Sequence, residues 1–212
     1  TLMGERPVPA VRDALQRTVD LCRSLGHEVV ETPPPPLSGE ELSDTFFTIA
    51  GDGVNQLAGM MWGLLGRDVG PDELEPFTLS LLDWFRELPD GRLPAALAST
   101  EAAGAVMRRF VDAFDAVLCP TLPTEVPLLG HVSPLLTREE VLRRTETLAG
   151  FTCVHNMAGV PAMSVPLFRG PTGLPIGSHF AAPVGREDTL LALAFELEQA
   201  APWADAHPRL QA

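Results

Sequence analysis

Residues 151–182, FTCVHNMAGVPAMSVPLFRGPTGLPIGSHFAA, constrain the fold more than any other part of this 212-residue chain. Gly159 precedes Val160-Pro161, so the backbone turns a tight corner and then runs extended. Proline fixes φ and disfavours the helical region in the residue before it. Residues 162–167, AMSVPL, are almost wholly apolar and read as a strand buried on both faces. Arg169-Gly170-Pro171-Thr172-Gly173 supplies turn residues, and residues 176–182 return as a second strand. Gly185-Arg186-Glu187-Asp188 then opens a helix with Leu190, Leu191, Leu193, Ala194 and Leu197 at helical spacing. Strand, hairpin, strand and helix in that order call for an α/β layer.

The rest of the chain divides into a helix–strand unit at 1–36, a helical segment at 37–113 and an α/β segment at 114–212. Val8, Val11, Leu15, Val19 and Cys22 recur every three or four residues, which marks an amphipathic helix. Gly26 is placed to end it in the left-handed conformation, and residues 27–31, HEVVE, read as a short strand. Pro33 to Pro36 form a stiff spacer. Ser38 and Glu41 make a capping-box pattern ahead of a helix whose glycines, Gly51, Gly53 and Gly59, weaken it. Phe46, Phe47, Met60, Met61 and Trp62 in that helix suit either core packing or the wall of an apolar pocket. Two further helices, from Pro76 and from Leu93, complete the segment, with Arg108-Arg109 on a solvated face. Asp115 to Cys119 reads as a buried strand stopped by Pro120. A proline-rich loop follows, and Thr137 with Glu140 caps another helix.

Hydrophobic residues make up 45% of the chain, enough for a sizeable core. The net charge of −13 argues against nucleic-acid partners and anionic membrane surfaces, which basic patches recognise. No apolar run reaches the roughly 18 residues of a membrane span, and the start TLMGERPV resembles no secretory signal. Cys22, Cys119 and Cys153 lack metal-ligand spacing and read as reduced thiols of a cytoplasmic protein.

N-x-x-G-x-P-A-x-S-V-P from Asn156, then G-L-P-I-G, then G-R-E-D-x-L-L-x-L-A-x-x-L-E-x-A-x-P-W resembles the C-terminal end of an amidase-signature hydrolase. Residues 114–123, FDAVLCPTLP, are similar to the family's upstream strand and Pro-Thr loop. The likeness extends to bacterial amidases such as the 6-aminohexanoate cyclic-dimer hydrolases, and covers the second half of the family's usual length. It implies an α/β fold, the C-terminal part of an α/β/α sandwich with a mixed central sheet. It also implies hydrolysis of a linear or cyclic amide through an acyl-enzyme, with two serines and a lysine on an N-terminal half. All fifteen cationic residues here are arginine, and an arginine stays protonated and cannot serve as that base. The chain alone is therefore expected to be inactive, and its partners are a small-molecule amide and the N-terminal half. Exposed strand edges favour a homo-oligomer. Two alternative readings are a non-catalytic ligand- or partner-binding remnant of the fold, and a fragment like the amide-cleaving component of a tRNA-dependent amidotransferase.

The pocket wall expected from the resemblance comprises Trp62, Thr121, Asn156, Gly159, Pro161 and Ile176. Asn156 is expected buried at a strand entrance, where it pins the corner or buttresses the pocket. Cys153 and His155, two apart in an extended segment, would face one side as a thiol–imidazole dyad, or Cys153 is an inert buried thiol. Asp112, Asp115 and His131 make only a paper triad with Ser164, which is expected within a buried strand. His27, His131, His155 and His179 are too scattered for a zinc site, so no metal and no cofactor is expected.

Overall fold

The computed structural model describes residues 1–205, so Pro208, expected in a tail packed on the surface, lies outside the described residues. Helix α1 (Pro9–Ser24) begins with proline at its first position, where the missing N–H is no loss. Its buried stripe is Val11, Ala14, Thr18 and Cys22, and Gly26 takes φ +97°, the left-handed ending expected of it. The strand expected at 27–31 does not form. Those residues find no ladder, and Arg23 donates to the Val29 carbonyl at 3.1 Å instead. Val29 alone packs towards the core, while Val30 is 55% exposed.

Helix α2 (Gly39–Leu65) runs 27 residues through all its glycines. Ser38 Oγ accepts from the Glu41 amide at its start, and Gly66 ends it at φ +66°. Gly51 explains how the helix tolerates one of them: a Cβ there would stand 2.8 Å from Phe85 Cβ, so the glycine admits helix α3 (Pro76–Arg86) at close range. The buried face of α2 carries Leu42, Thr45, Phe47 and Thr48. Phe46, Met60 and Trp62 lie off that face and are exposed. Helix α4 (Arg92–Val111) packs on α2 and on the short α6 (Cys153–Ala158). Helix α5 (Arg138–Ala149) opens with a full capping box, Thr137 and Glu140 each bonding the other's backbone.

Strands β1 (Val117–Pro120), β2 (Ala162–Arg169) and β3 (Pro175–Ala181) form an antiparallel sheet in the order β1-β3-β2. Proline chemistry accounts for that order. Pro120 and Pro166 cannot donate to a ladder and are tolerated on strands with one free edge. The register slips between Val165 and Phe168, across Pro166 and Leu167. The middle strand β3 has no proline beyond its first residue. Contrary to expectation β2 is not buried on both faces: Val165 and Leu167 are buried, while Ala162 and Ser164 are exposed.

The sheet is the middle of three layers. On one face Ala181 and Val117 pack with Leu42, Met107, Val111, Val154 and Val160, from α2, α4, α6 and the corner after it. On the other, Phe180, Val165 and Leu118 pack with Cys22 of α1 and with Leu190 and Leu197 of α7 (Glu187–Ala200). Trp203 seals the edge of that second cluster. Val11, Val111 and Leu197 are 0% exposed, and full burial of such side chains contributes about 1.5–3 kcal/mol each.

Candidate functional site

Antiparallel pairing sets Cys119 opposite His179 and His179 opposite Ser164, so one residue from each strand lies in a row. Residues directly opposite in such a ladder project to the same face. Thr121, two beyond Cys119, continues that face, and its N–H bonds the Gly177 carbonyl at 3.0 Å. Thr121 Oγ1 and Ser164 Oγ meet at 2.6 Å across β3. They can do so because Gly177 lies between them: a Cβ there would come within 2.6 Å of Ser164 Oγ and closer still to Thr121 Oγ1.

The hydroxyl pair stands on one wall of an open cleft of about 290 Å³, with Leu122, Thr124 and Ile176 around it. Among the described residues Thr124 Oγ1 is buried without a hydrogen-bond partner, an arrangement that costs about 1–3 kcal/mol unless something satisfies it. Hydroxyls, apolar walls and no charged group make this surface fit for a neutral polar ligand. No general base stands in the cleft lining.

Beside the hydroxyls, on the same face, a second group of side chains is collected. Cys119 Sγ lies 3.5 Å from His179 Nδ1, and the His179 and His155 rings are 4.7 Å apart, tilted by 55°. Burial pushes the Cys119 thiol up to about 12, and lowers His179 to about 4 with help from the neighbouring His155 charge. Desolvation lowers His155 as well, while the Phe151 and Thr152 backbone pulls the other way. That pull is not a formed bond: neither His155 ring nitrogen makes a hydrogen bond among the described residues, although the side chain is only 4% exposed.

Of the six expected wall residues, the structure brings Thr121 and Ile176 together in the cleft. Trp62 is 55% exposed on α2. Asn156 is exposed on α6 rather than buried at a strand entrance, because residues 153–158 wind into a helix whose outer face it occupies. Gly159 ends that helix at φ +65°, and the Pro161 carbonyl accepts from the Ala182 amide at 3.0 Å. Both shape the corner. The helical winding also removes the basis of a Cys153–His155 dyad, since residues two apart on a helix do not share a face. Ser164 is exposed and paired with Thr121 rather than buried, and Asp112, Asp115 and His131 all lie at the surface. The histidines are less scattered than their spacing suggests. His27 pairs with Glu196 on the surface at 2.9 Å, but His155 and His179 meet beside Cys119. The only trace of that meeting in the sequence is the spacing of two in Cys119-x-Thr121 and Gly177-x-His179, which needs the register to be interpretable.

A sequence profile for the amidase family matches residues 1–191. A protein of Mycobacterium tuberculosis named as an amidase, AmiC, is 36% identical over 94% of this chain and 41% of its own length. The 6-aminohexanoate-cyclic-dimer hydrolase of Pseudomonas sp. strain NK87 is 27% identical over 88% of this chain and 39% of its own length. Among solved structures, a 6-aminohexanoate cyclic dimer hydrolase complexed with substrate superposes with a TM-score of 0.87 at 24% identity, over 98% of this chain and 45% of that one. A bacterial aryl acylamidase of the amidase signature family superposes at 0.78 with 19% identity, over 95% and 42%. The chain thus spans about two-fifths of the length of the curated relatives it matches. Among its described residues no helix is long and apolar enough to cross a membrane.

Proposed function

We propose, from the premise that this chain belongs to the amidase family, that it is the C-terminal portion of an amidohydrolase and lends one wall to the substrate cleft. The observation that carries this reading is the uncharged cleft, with Thr121 and Ser164 paired on its wall and the unsatisfied Thr124 hydroxyl among its lining groups. Such a surface accepts the carbonyl or N–H of a neutral amide without a desolvated charge to offset. Linear or cyclic carboxylic amides are the substrate class, and the route is an acyl-enzyme formed on a serine of the N-terminal half. The base belongs to that half too, since the chain has no lysine and the cleft lining no base. Oxyanion donors go with the nucleophile they serve.

Association with the N-terminal half draws support from the loop after β1. Leu128, Leu129 and Leu135 are 88%, 104% and 74% exposed there, an apolar surface that invites a covering partner. Left without that half, the chain would cover the surface by self-association, which light scattering would register; a clean monomer counts against this.

The test is to label the intact protein with a serine-directed fluorophosphonate while assaying a panel of linear and cyclic amides. Hydrolysis with the adduct outside residues 1–212 is expected. An adduct on Ser164 would overturn the assignment of the nucleophile, and no hydrolysis with ligand still bound would favour the non-catalytic remnant. A component of the glutamyl-tRNA(Gln) amidotransferase from a Cyanothece strain is 34% identical over 105 residues, 45% of this chain. Its partial reach ranks the amidotransferase reading behind the free-standing amidase.

A further inference from the structure

We infer that Cys119, His155 and His179 form a binding site for a soft divalent cation, with zinc as the type case. Their ligand atoms all lie within 4.8 Å of one another. Zinc holds thiolate sulfur at about 2.3 Å and imidazole nitrogen at about 2.0–2.1 Å, so a tetrahedral site spaces its ligands by about 3.5 Å. Cys119 Sγ and His179 Nδ1 already stand at 3.5 Å. Only His155 has to close in, by a modest rotation of a ring that no hydrogen bond restrains.

That missing restraint is the second, independent observation. A histidine 4% exposed ordinarily has a hydrogen bond on at least one nitrogen. Here both nitrogens lack a partner among the described residues, while the ring leans against His179 with centroids 4.7 Å apart. A shared cation satisfies one nitrogen of each ring and the sulfur together. It also joins three neighbouring desolvated groups into one coordinated unit.

The donor set selects the ion. One sulfur and two imidazoles suit zinc and its soft neighbours, whereas magnesium and calcium require oxygen. No carboxylate belongs to the cluster. Rigid supports hold the donors: His179 comes from the middle strand, Cys119 from its paired neighbour, and His155 from α6, whose end is set by Gly159. Binding converts the thiol to a thiolate and releases its proton to solvent. Three protein ligands leave the fourth tetrahedral position to water or to another residue. The ion would rivet β1 and β3 to α6 directly beside the Thr121–Ser164 pair.

The intact protein, stripped with a chelator, should be titrated with zinc against a chromophoric competitor and, separately, with cobalt(II) as a spectroscopic probe. One zinc per chain is expected, with a sulfur-to-cobalt charge-transfer band and the strong visible bands of a tetrahedral site. Cys119→Ser should abolish the charge-transfer band. His155→Gln and His179→Gln should each weaken binding by more than the roughly 10–100-fold that loss of a merely supporting residue produces. Circular dichroism of the metal-free variants guards against misfolding, and the near-isosteric Cys119→Ser decides the matter should a histidine variant unfold. No saturable binding would overturn the proposal. So would binding that Cys119→Ser leaves unchanged in affinity and spectrum, which would place the metal on surface histidines such as His27 or His131.

Discussion

Thr18 Oγ1 and Ser178 Oγ lie 2.8 Å apart in the core, joining the first helix to the middle strand across 160 residues of sequence. Thr18 is fully buried, and its hydroxyl also bonds the Ala14 carbonyl at 3.0 Å. A hydroxyl has one proton. The Thr18 proton goes to Ala14, so Ser178 must donate to Thr18. Replacing Thr18 by valine therefore strands a buried donor on Ser178 and is expected to cost about 1–3 kcal/mol. Adding Ser178→Ala should recover a good part of it, and denaturant unfolding of the four species completes the cycle. Strictly additive losses would mean the bond carries no weight.

Gly177 is where the cleft wall leaves no room for a side chain. Gly177→Ala forces a methyl between Thr121 and Ser164, and overpacking of this kind costs about 1–3 kcal/mol. The expected result is a lower melting temperature together with weakened amide binding. Full retention of substrate affinity would disconnect the hydroxyl pair from the cleft's role.

Gly159 is different, because space around it is free and only its backbone is unusual. No atom lies within 4 Å of a Cβ built there, yet φ is +65°. Gly159→Ala should thus lose about 1 kcal/mol through left-handed strain alone, and Gly159→Asn noticeably less. Equal losses in the two variants, read by thermal unfolding, would contradict a purely conformational cause.

Cys22 supplies one part of the alkaline pH dependence. Desolvation raises its thiol above the ordinary 9.0, and the nearby Glu196 charge adds to the effect. Below pH 9 both folded and unfolded chains keep the proton. As pH rises through that value the unfolded thiol ionises first, so stability falls, with a limiting slope of about 1.4 kcal/mol per pH unit. Unfolding measured from pH 8 to 10.5 should show this slope as the difference between the parent chain and Cys22→Ala, because the buried thiols Cys119 and Cys153, raised in the same way, add slopes of their own. In the native state the Cys22 thiol should resist alkylation.

Much of the fold was legible in local chemistry. Gly26, the Thr137–Glu140 box and the turn before β3 act within a few residues of themselves, and each did what its local chemistry dictates. Residues 27–31 misled because a valine pair forms a strand only where a neighbouring strand offers a ladder. Residues 153–158 misled because one turn of helix is too short to show a period. On α2 the exposure of Phe46 and Trp62 depends on which face α3 and α4 cover, which no spacing encodes. The site was least legible. Thr121 and Ile176 could be named, but Ser164, Gly177 and the Cys119–His179 contact follow from register, a property of two strands at once.

The sheet order has a consequence for how the chain comes into being. The strand in the middle is the last of the three to be synthesised, and both of its neighbours wait for it: Val117 pairs with Ala181, and Ala162 with the same residue. Until β3 emerges, β1 and β2 have no partner in this sheet, and the row of Cys119, Ser164 and His179 does not exist. Assembly is therefore gated late, at a contact between distant segments that closes slowly. A nascent chain halted before residue 175 would hold helices and two unpaired strands, a state that chaperones and proteases can distinguish from the finished fold.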